Sequence, residues 1–388
     1  MRKKIAIFTG TRAEYGLLFH LMKEVQKSTI FDLQVIVSGA HLSTEFGDTW
    51  KTIENDGFKI TSKVDMLLSS DSSEGITKSM GIGMIGMADV IKENQPDLLV
   101  ILGDRYEALV AAQAAMIASI PLAHLHGGES SEGAIDESIR HSITKMSHLH
   151  FTAADAYRDK VIQLGEQPSK VWSVGAAGLD NIKKLRKLRK TQIEKNLGLI
   201  IKGPLFVVTY HPVTLESKDS SHKLQLLLNA LDRFNGTIVI TGANADAGNS
   251  SLRKICQQFT QKRPMNSVYK ESLGVSLYLN LLRYADAVVG NSSSGLIEAP
   301  SMGVPTINIG NRQMGRLCAP SVINCKESTK SINAAITLCL SNRHKRIAKL
   351  KKTPYGEPGA AKRIINILSE TNFDDLLQKN FFYINNNE

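Results

Sequence analysis

Short runs of β-branched and aliphatic residues alternate along this chain with longer stretches whose apolar positions recur every three or four residues. The runs at Ile5–Thr9, Leu33–Ser38, Asp97–Gly103, Pro121–His126, Leu149–Thr152 and Lys170–Val174 read as strands, with helices between them, for example over Tyr106–Ser119 and Asp136–Ser147. A second series begins with LFVVTYHP at Leu205–Pro212. It continues with TIVITGAN at Thr237–Asn244, DAVVGNSS at Asp286–Ser293 and PTINIG at Pro305–Gly310. Strands alternating with helices of this length predict βαβ units and parallel sheets. The polar, basic stretch Lys183–Asn196 separates the two series, so an α/β chain of two doubly wound domains is expected, 1–178 and 179–359. Ligands of such sheets sit outside the carboxyl ends of the strands. Those ends carry Gly10-Thr11-Arg12, Gly103-Asp104-Arg105, His126-Gly127-Gly128-Glu129, His211-Pro212 and Asn291-Ser292-Ser293-Ser294.

Composition narrows the class. The 388 residues are 42% hydrophobic, a globular balance long enough for two domains. Four cysteines without C-x-x-C spacing suit reduced, mostly buried thiols of a cytoplasmic protein. The apolar run Ile5–Phe8 is too short for a secretory leader, and no window approaches a membrane span. A formal net charge of +10 suits anionic partners without choosing among them. The densest basic run, Lys183–Lys190, reads as a solvated helix face near the domain boundary, and no nucleic-acid or membrane partner is expected.

Four clusters invite chemical readings. Gly81-Ile82-Gly83-Met84-Ile85-Gly86 matches G-x-G-x-x-G, but polar residues stand where a dinucleotide fingerprint needs a strand. Close helix packing explains these glycines better. Gly290-Asn291-Ser292-Ser293-Ser294-Gly295 misses a nucleophile elbow by one residue. A strand, a small polar turn and a helix suggest instead a phosphate cradle of backbone N–H groups, although an ordinary βα turn has the same look. His124 and His126 alternate on one strand, as do His148 and His150, a spacing compatible with zinc if Glu129 or Asp136 completed the set. A buried histidine in a satisfied hydrogen bond is the competing explanation. Asp104, Glu129 and Asp136 are expected at or just beyond neighbouring strand ends. Converging carboxylates would raise one another's pKa, as an acid or base working near neutrality requires. Asp136 alone also looks like an N-cap.

Together, TGTRAEYG (Thr9–Gly16), LGDRYEALVAA (Leu102–Ala112), HLHGGESSEGAIDESIRHSITKMSHLHF (His124–Phe151), YHPVT (Tyr210–Thr214) and GNSSSGLIEAPSMGVPTINIGNRQMGR (Gly290–Arg316) make the chain resemble the hydrolysing UDP-N-acetylglucosamine 2-epimerases of bacterial sialic acid synthesis and their relatives in legionaminic acid synthesis. The resemblance implies a GT-B fold, two Rossmann-like domains with the sugar nucleotide between them, the second binding UDP. It implies that the C-terminal segment, 360–388, returns to the first domain. By the same resemblance Asp104, Glu129 and Asp136 match catalytic carboxylates. His211 would donate to the leaving diphosphate, Arg12 would bind it, Ser292, Ser293 and Ser294 would form the phosphate turn, and Glu298 would hold the ribose hydroxyls. No metal and no cofactor are implied, and a homodimer is expected.

The implied reaction suits these residues. In UDP-GlcNAc the C2 hydrogen and the C1 oxygen are trans-diaxial, so anti elimination of UDP gives 2-acetamidoglucal. Water then adds at C1 and a proton returns to C2 from the opposite face, giving ManNAc. Carboxylates flanking the anomeric carbon also stabilise oxocarbenium character. Non-hydrolysing epimerases carry an H-x-E-A-G-x-R-T stretch where this chain has HLHGGESSEG, which favours water as second nucleophile. The nearest rivals are the same reaction on UDP-2,4-diacetamido-2,4,6-trideoxyglucose and a non-hydrolysing UDP-GlcNAc 2-epimerase. A GT-B glycosyltransferase would leave the middle carboxylates as a surplus, and a non-catalytic sensor would release no UDP.

Overall fold

The computed structural model describes residues 2–384 apart from 69, 71, 132–134, 213–219 and 243–248, with nothing said of side chains 249 and 250. Parts of the expected motifs, Glu132–Ala134, Val213–Thr214 and Ala243–Asn244, and the last four residues of the C-terminal segment 360–388 therefore lie outside the described residues. The chain divides into two compact units: 1–129, 135–180 and 355–388 form the first, and 130–134 with 181–354 the second.

The first unit is built on seven parallel strands: β1 (Lys3–Thr9), β2 (Phe31–Ser38), β3 (Ile60–Val64), β4 (Leu98–Leu102), β5 (Leu122–Leu125), β6 (Leu149–Thr152) and β7 (Val171–Ser173), in the order β3-β2-β1-β4-β5-β6-β7. Successive side chains of a strand point to opposite faces. Ile5 and Ile7 accordingly join one core layer with Leu18, Leu21 and Met22 of helix Arg12–Lys27, while Ala6 and Phe8 join the other with Met87, Ala111 and Ala115. Helix Ala360–Glu370 packs Ile364 and Leu368 into the first layer. Its N-terminus is fixed by Asp180, whose carboxylate accepts from the N–H groups of Gly359, Ala360 (3.1 Å) and Ala361 (2.9 Å), an anion placed where the helix leaves donors unpaired.

The second unit repeats the plan with six parallel strands, β8 (Leu205–Thr209), β9 (Thr237–Thr241), β10 (Ser267–Lys270), β11 (Ala287–Gly290), β12 (Thr306–Ile309) and β13 (Val322–Cys325), ordered β10-β9-β8-β11-β12-β13. Phe206, Val208, Ile238 and Val289 face one layer and Leu205, Val207, Val239 and Val288 the other.

The doubly wound parallel sheets expected from the sequence are present, and the differences lie at the margins. Edge strands β3, β10 and β13 escaped the sequence pattern because they are half-exposed and carry Thr, Ser, Lys and Asn among few apolar residues. The basic run is not a continuous helix. Residues 185–189 are irregular between helices Leu179–Lys183 and Lys190–Leu197, with Leu185 and Leu188 packed on the second unit's core and the charged side chains in solvent. The four cysteines are free thiols, but Cys318 is exposed and Cys325 half-buried. The G-x-G-x-x-G lies inside helix Ser73–Asn94. A Cβ on Gly86 would stand 2.9 Å from Val64 Cγ1 and one on Gly83 3.0 Å from Met66 Cε, so these glycines let the helix close on β3 and the segment after it. Among the described residues, no helix is long and apolar enough to cross a membrane.

Candidate active site

In a doubly wound sheet the binding crevice opens where the strand order reverses direction. In the first unit that point is the β1/β4 boundary. Beyond β1 the chain turns into helix Arg12–Lys27 through a capping box. Thr11 Oγ1 accepts from Glu14 N–H (3.3 Å), and Glu14 Oε2 accepts from the N–H groups of Gly10 (2.7 Å) and Thr11 (3.1 Å). This leaves the Arg12 side chain exposed on the first helical residue. Beneath the turn Glu14 and Glu107 are both buried, and Arg105 reaches Glu107 with two nitrogens at 3.2 and 3.3 Å. Burial first, and the Glu107 charge second, push the Glu14 carboxyl up to about 7 against the pull of Arg105 and the two backbone donors.

Beyond β4 and β5 lies an ion cluster. Arg140, on helix Ile135–Met146, is 1% exposed. Its Nη2 contacts the Asp104 carboxylate, and its Nη1 donates to the Glu129 carbonyl (2.7 Å) and to Glu137 Oε2 (2.8 Å). Burial opposes its charge, but Asp104, Glu129 and Glu137 outweigh that and hold its pKa above the ordinary arginine value. Asp104 and Glu129 are thus brought to one guanidinium. The Glu129 side chain, 3% exposed, meets His126 Nδ1 at 2.6 Å. Asp136 does not cap its helix: the helix begins at Ile135, so Asp136 lies half-buried within the first turn.

His124 and His126 do not alternate along one strand, whereas His148 and His150 both lie near Glu166 and Lys379. β5 ends at Leu125, and His126 follows it with a left-handed backbone, φ 64°. His124 is fully buried: its Nε2 donates to the Gly103 carbonyl (2.8 Å), so its Nδ1 accepts from the Thr144 hydroxyl (3.2 Å). Burial holds it neutral, near pKa 3, and its bond to Gly103 fixes the residue before Asp104. His148 precedes β6 and accepts from Leu122 N–H, while His150 pairs with buried Glu166 at 3.0 Å. Among the described residues, no group of three or more His, Cys, Asp or Glu is placed to hold a metal ion.

In the second unit the order reverses at the β8/β11 boundary, and the residues expected there follow those two strands. Asn291 joins the strand ends: its Oδ1 accepts from His211 N–H (2.7 Å), its Nδ2 donates to the His211 carbonyl (2.9 Å), and its own carbonyl accepts from Arg312 and Gln313. His211 is buried, and burial, with Arg312 adding, holds it well below the usual histidine range, so the neutral ring donates through one nitrogen at most. Gly290 permits this joint. With φ 138° and Thr209 O only 1.9 Å from where a Cβ would stand, no other residue fits. Ser292, Ser293 and Ser294 are half-buried. Ser292 Oγ accepts from Ser294 N–H (3.4 Å) and Ser294 Oγ accepts from Tyr278 (2.9 Å). The turn is a single 3-10 turn, and the helix after it, Glu298–Met302, has five residues. The expected contribution of a long helix dipole is therefore small, and the donors there are those of the turn itself. Glu298 opens that helix, half-buried.

Two doubly wound sheets with polar groups gathered at both switch points define an α/β protein of the GT-B class. The chain belongs to the UDP-N-acetylglucosamine 2-epimerase family, whose model matches residues 23–369. It is 40% identical to a Campylobacter jejuni protein named GDP/UDP-N,N'-diacetylbacillosamine 2-epimerase (hydrolyzing), over 98% of this chain and 99% of that one. It is 36% identical to the polysialic acid biosynthesis protein P7 of Escherichia coli, over 95% of this chain and 94% of that one. The crystal structure of UDP-GlcNAc 2-epimerase from Neisseria meningitidis bound to UDP-GlcNAc is similar with a TM-score of 0.82 and 19% identity, covering 95% of this chain and all of that one, a likeness of fold.

Proposed function

We propose that this chain is a hydrolysing 2-epimerase of a UDP-activated 2-acetamido sugar. The observation that carries the proposal is the gathering of Asp104 and Glu129 around buried Arg140, whose guanidinium contacts the Asp104 carboxylate and the Glu129 backbone carbonyl, beside the first unit's switch point. Acids held so are pre-organised for proton traffic at a carbon that no carbonyl acidifies. In the proposed sequence the bond from C1 to UDP breaks as a carboxylate takes the C2 proton, leaving the glycal. Water then adds at C1, and a second acid returns a proton to the other face of C2. Asp104 and Glu129 serve C2, and Asp136 serves the water or the returning proton. Arg12, neutral His211 and the Ser292–Ser294 turn take the diphosphate, and Glu298 the ribose hydroxyls. Elimination followed by hydration involves no net redox change, so the reaction needs no redox cofactor.

The 40% relative's name supports a 2,4-diacetamido sugar as substrate, ahead of the UDP-GlcNAc that the sequence resemblance put first. The similarity to a polysialic acid biosynthesis protein supports UDP-GlcNAc as the second reading and supports a role for either reaction in surface-glycan synthesis. Incubation with each UDP sugar, with chromatography of nucleotide and sugar, tests both. Free UDP and a free 2-epimerised sugar are expected, from the diacetamido substrate at the higher kcat/KM. Accumulation of an epimerised UDP sugar without free UDP would overturn hydrolysis.

A further inference from the structure

We infer that His126 is a positioning residue for Glu129, which it orients through a fixed tautomer while taking no proton itself. The inference rests on the reaction proposed above for Glu129. Its physical basis is the use of both ring nitrogens. Ala177 N–H donates to His126 Nε2 at 3.2 Å, and a backbone amide can only donate, so Nε2 is the acceptor nitrogen. The proton of the neutral ring therefore sits on Nδ1, which lies 2.6 Å from Glu129 Oε1 and donates to it. A second proton on the ring would have to displace the Ala177 amide, which leaves this imidazole no role as a shuttle.

The backbone gives a second, independent indication. His126 holds a left-handed conformation that a side-chain-bearing residue rarely adopts, and it does so between a strand and two glycines. His126 N–H donates to the Phe151 carbonyl (2.9 Å). A Cβ on Gly128 would fall 2.3 Å from the Tyr157 carbonyl oxygen, and one on Gly127 3.1 Å from His124 Nδ1. The loop is thus pressed down on its surroundings, and this carries the ring to Glu129 and to the segment at Ala177. Glycine would be the relaxed choice for such a backbone. The histidine there is explained by what its ring holds. Strain of this kind clusters at sites where geometry serves function. Near Glu129, His126 meets the carboxylate, and Arg140, itself paired with Asp104 and Glu137, donates to the backbone carbonyl. His126 is thus hydrogen-bonded to an oxygen of the Glu129 carboxylate.

Two variants separate positioning from packing. His126→Gly relaxes the backbone and removes the donor. His126→Asn tolerates the left-handed backbone and places an amide donor near the former Nδ1. In UDP-release assays H126G is expected to lose roughly tenfold to a hundredfold in kcat, the effect of one hydrogen bond to a charged group, with KM little changed. H126N should recover most of that loss. Wild-type kcat in H126G, or equal losses in the two variants, would overturn the inference. If the unaltered protein consumes neither UDP sugar, the proposed function fails on its own, and nitrogen-15 NMR of the His126 ring still decides the tautomer. A proton on Nδ1 and none on Nε2 at pH 7 is expected. A proton on Nε2 would refute the inference.

Discussion

Arg140→Met removes the charge around which the proposed acids are arranged while keeping an unbranched side chain in the space. Arg140 is 1% exposed and pairs with Asp104 and Glu137, whose side chains keep 23% and 28% of their exposure. Breaking a buried pair by deleting one partner costs about 3–5 kcal/mol, because the remaining charges stay without compensation. The partial exposure of both acids puts the expected cost at the low end, about 3 kcal/mol. For a unit of about two hundred residues that is a fall of roughly 6–12 °C in melting temperature. Thermal melts followed by circular dichroism at pH 7 measure it. Activity should fall more steeply than stability at permissive temperature, since Asp104 and Glu129 lose their common anchor. A variant melting within about 2 °C of wild type at pH 7 would refute the assignment of Arg140 as the compensating charge.

Asp104→Asn should abolish turnover and leave UDP binding by calorimetry intact; a loss of UDP affinity would put Asp104 in the nucleotide site instead. Glu298→Ala should chiefly weaken UDP binding, with kcat at saturation little altered. Glu14→Gln tests the buried acid under the β1 turn. An acid whose folded pKa is raised from 4.5 to about 7 loses stability as pH rises between those values, by about 3 kcal/mol in all. Denaturant titrations at pH 4.5 and 7.5 should therefore show the variant gaining on wild type at the higher pH, and a constant difference would contradict this. Gly290→Ala should fail to accumulate as folded protein, given the Thr209 oxygen where its Cβ would sit.

Residues buried on both faces of a central strand announce themselves, and β1, β4, β5, β8 and β11 were legible for that reason. The strand ends that carry Asp104, His211 and Ser292 were legible with them, because topology sends polar loop residues to the switch points. Arg140 was not singled out, because an arginine on an amphipathic helix looks like a surface residue. The available signal was spacing: Arg140, Ile143, Thr144 and Ser147 fall at intervals of three, four and seven, and all four are buried. A cation in that register needs acids opposite it, and Asp104 is one. The left-handed turn at His126 could not be read either, since histidine gives no warning of positive φ. The Asp180 cap joins residues 180 and 359–361, too far apart along the chain for any local pattern to show. Choice between sugars substituted differently at C4 and C6 left no mark on any motif.

Turnover in deuterium oxide, followed by proton and carbon NMR of the released sugar, tests the proton traffic most directly. One deuterium at C2 of a free, C2-inverted sugar, appearing together with free UDP, is expected. A free sugar with inverted C2 that keeps its original hydrogen there would contradict abstraction and return by the acids around Arg140.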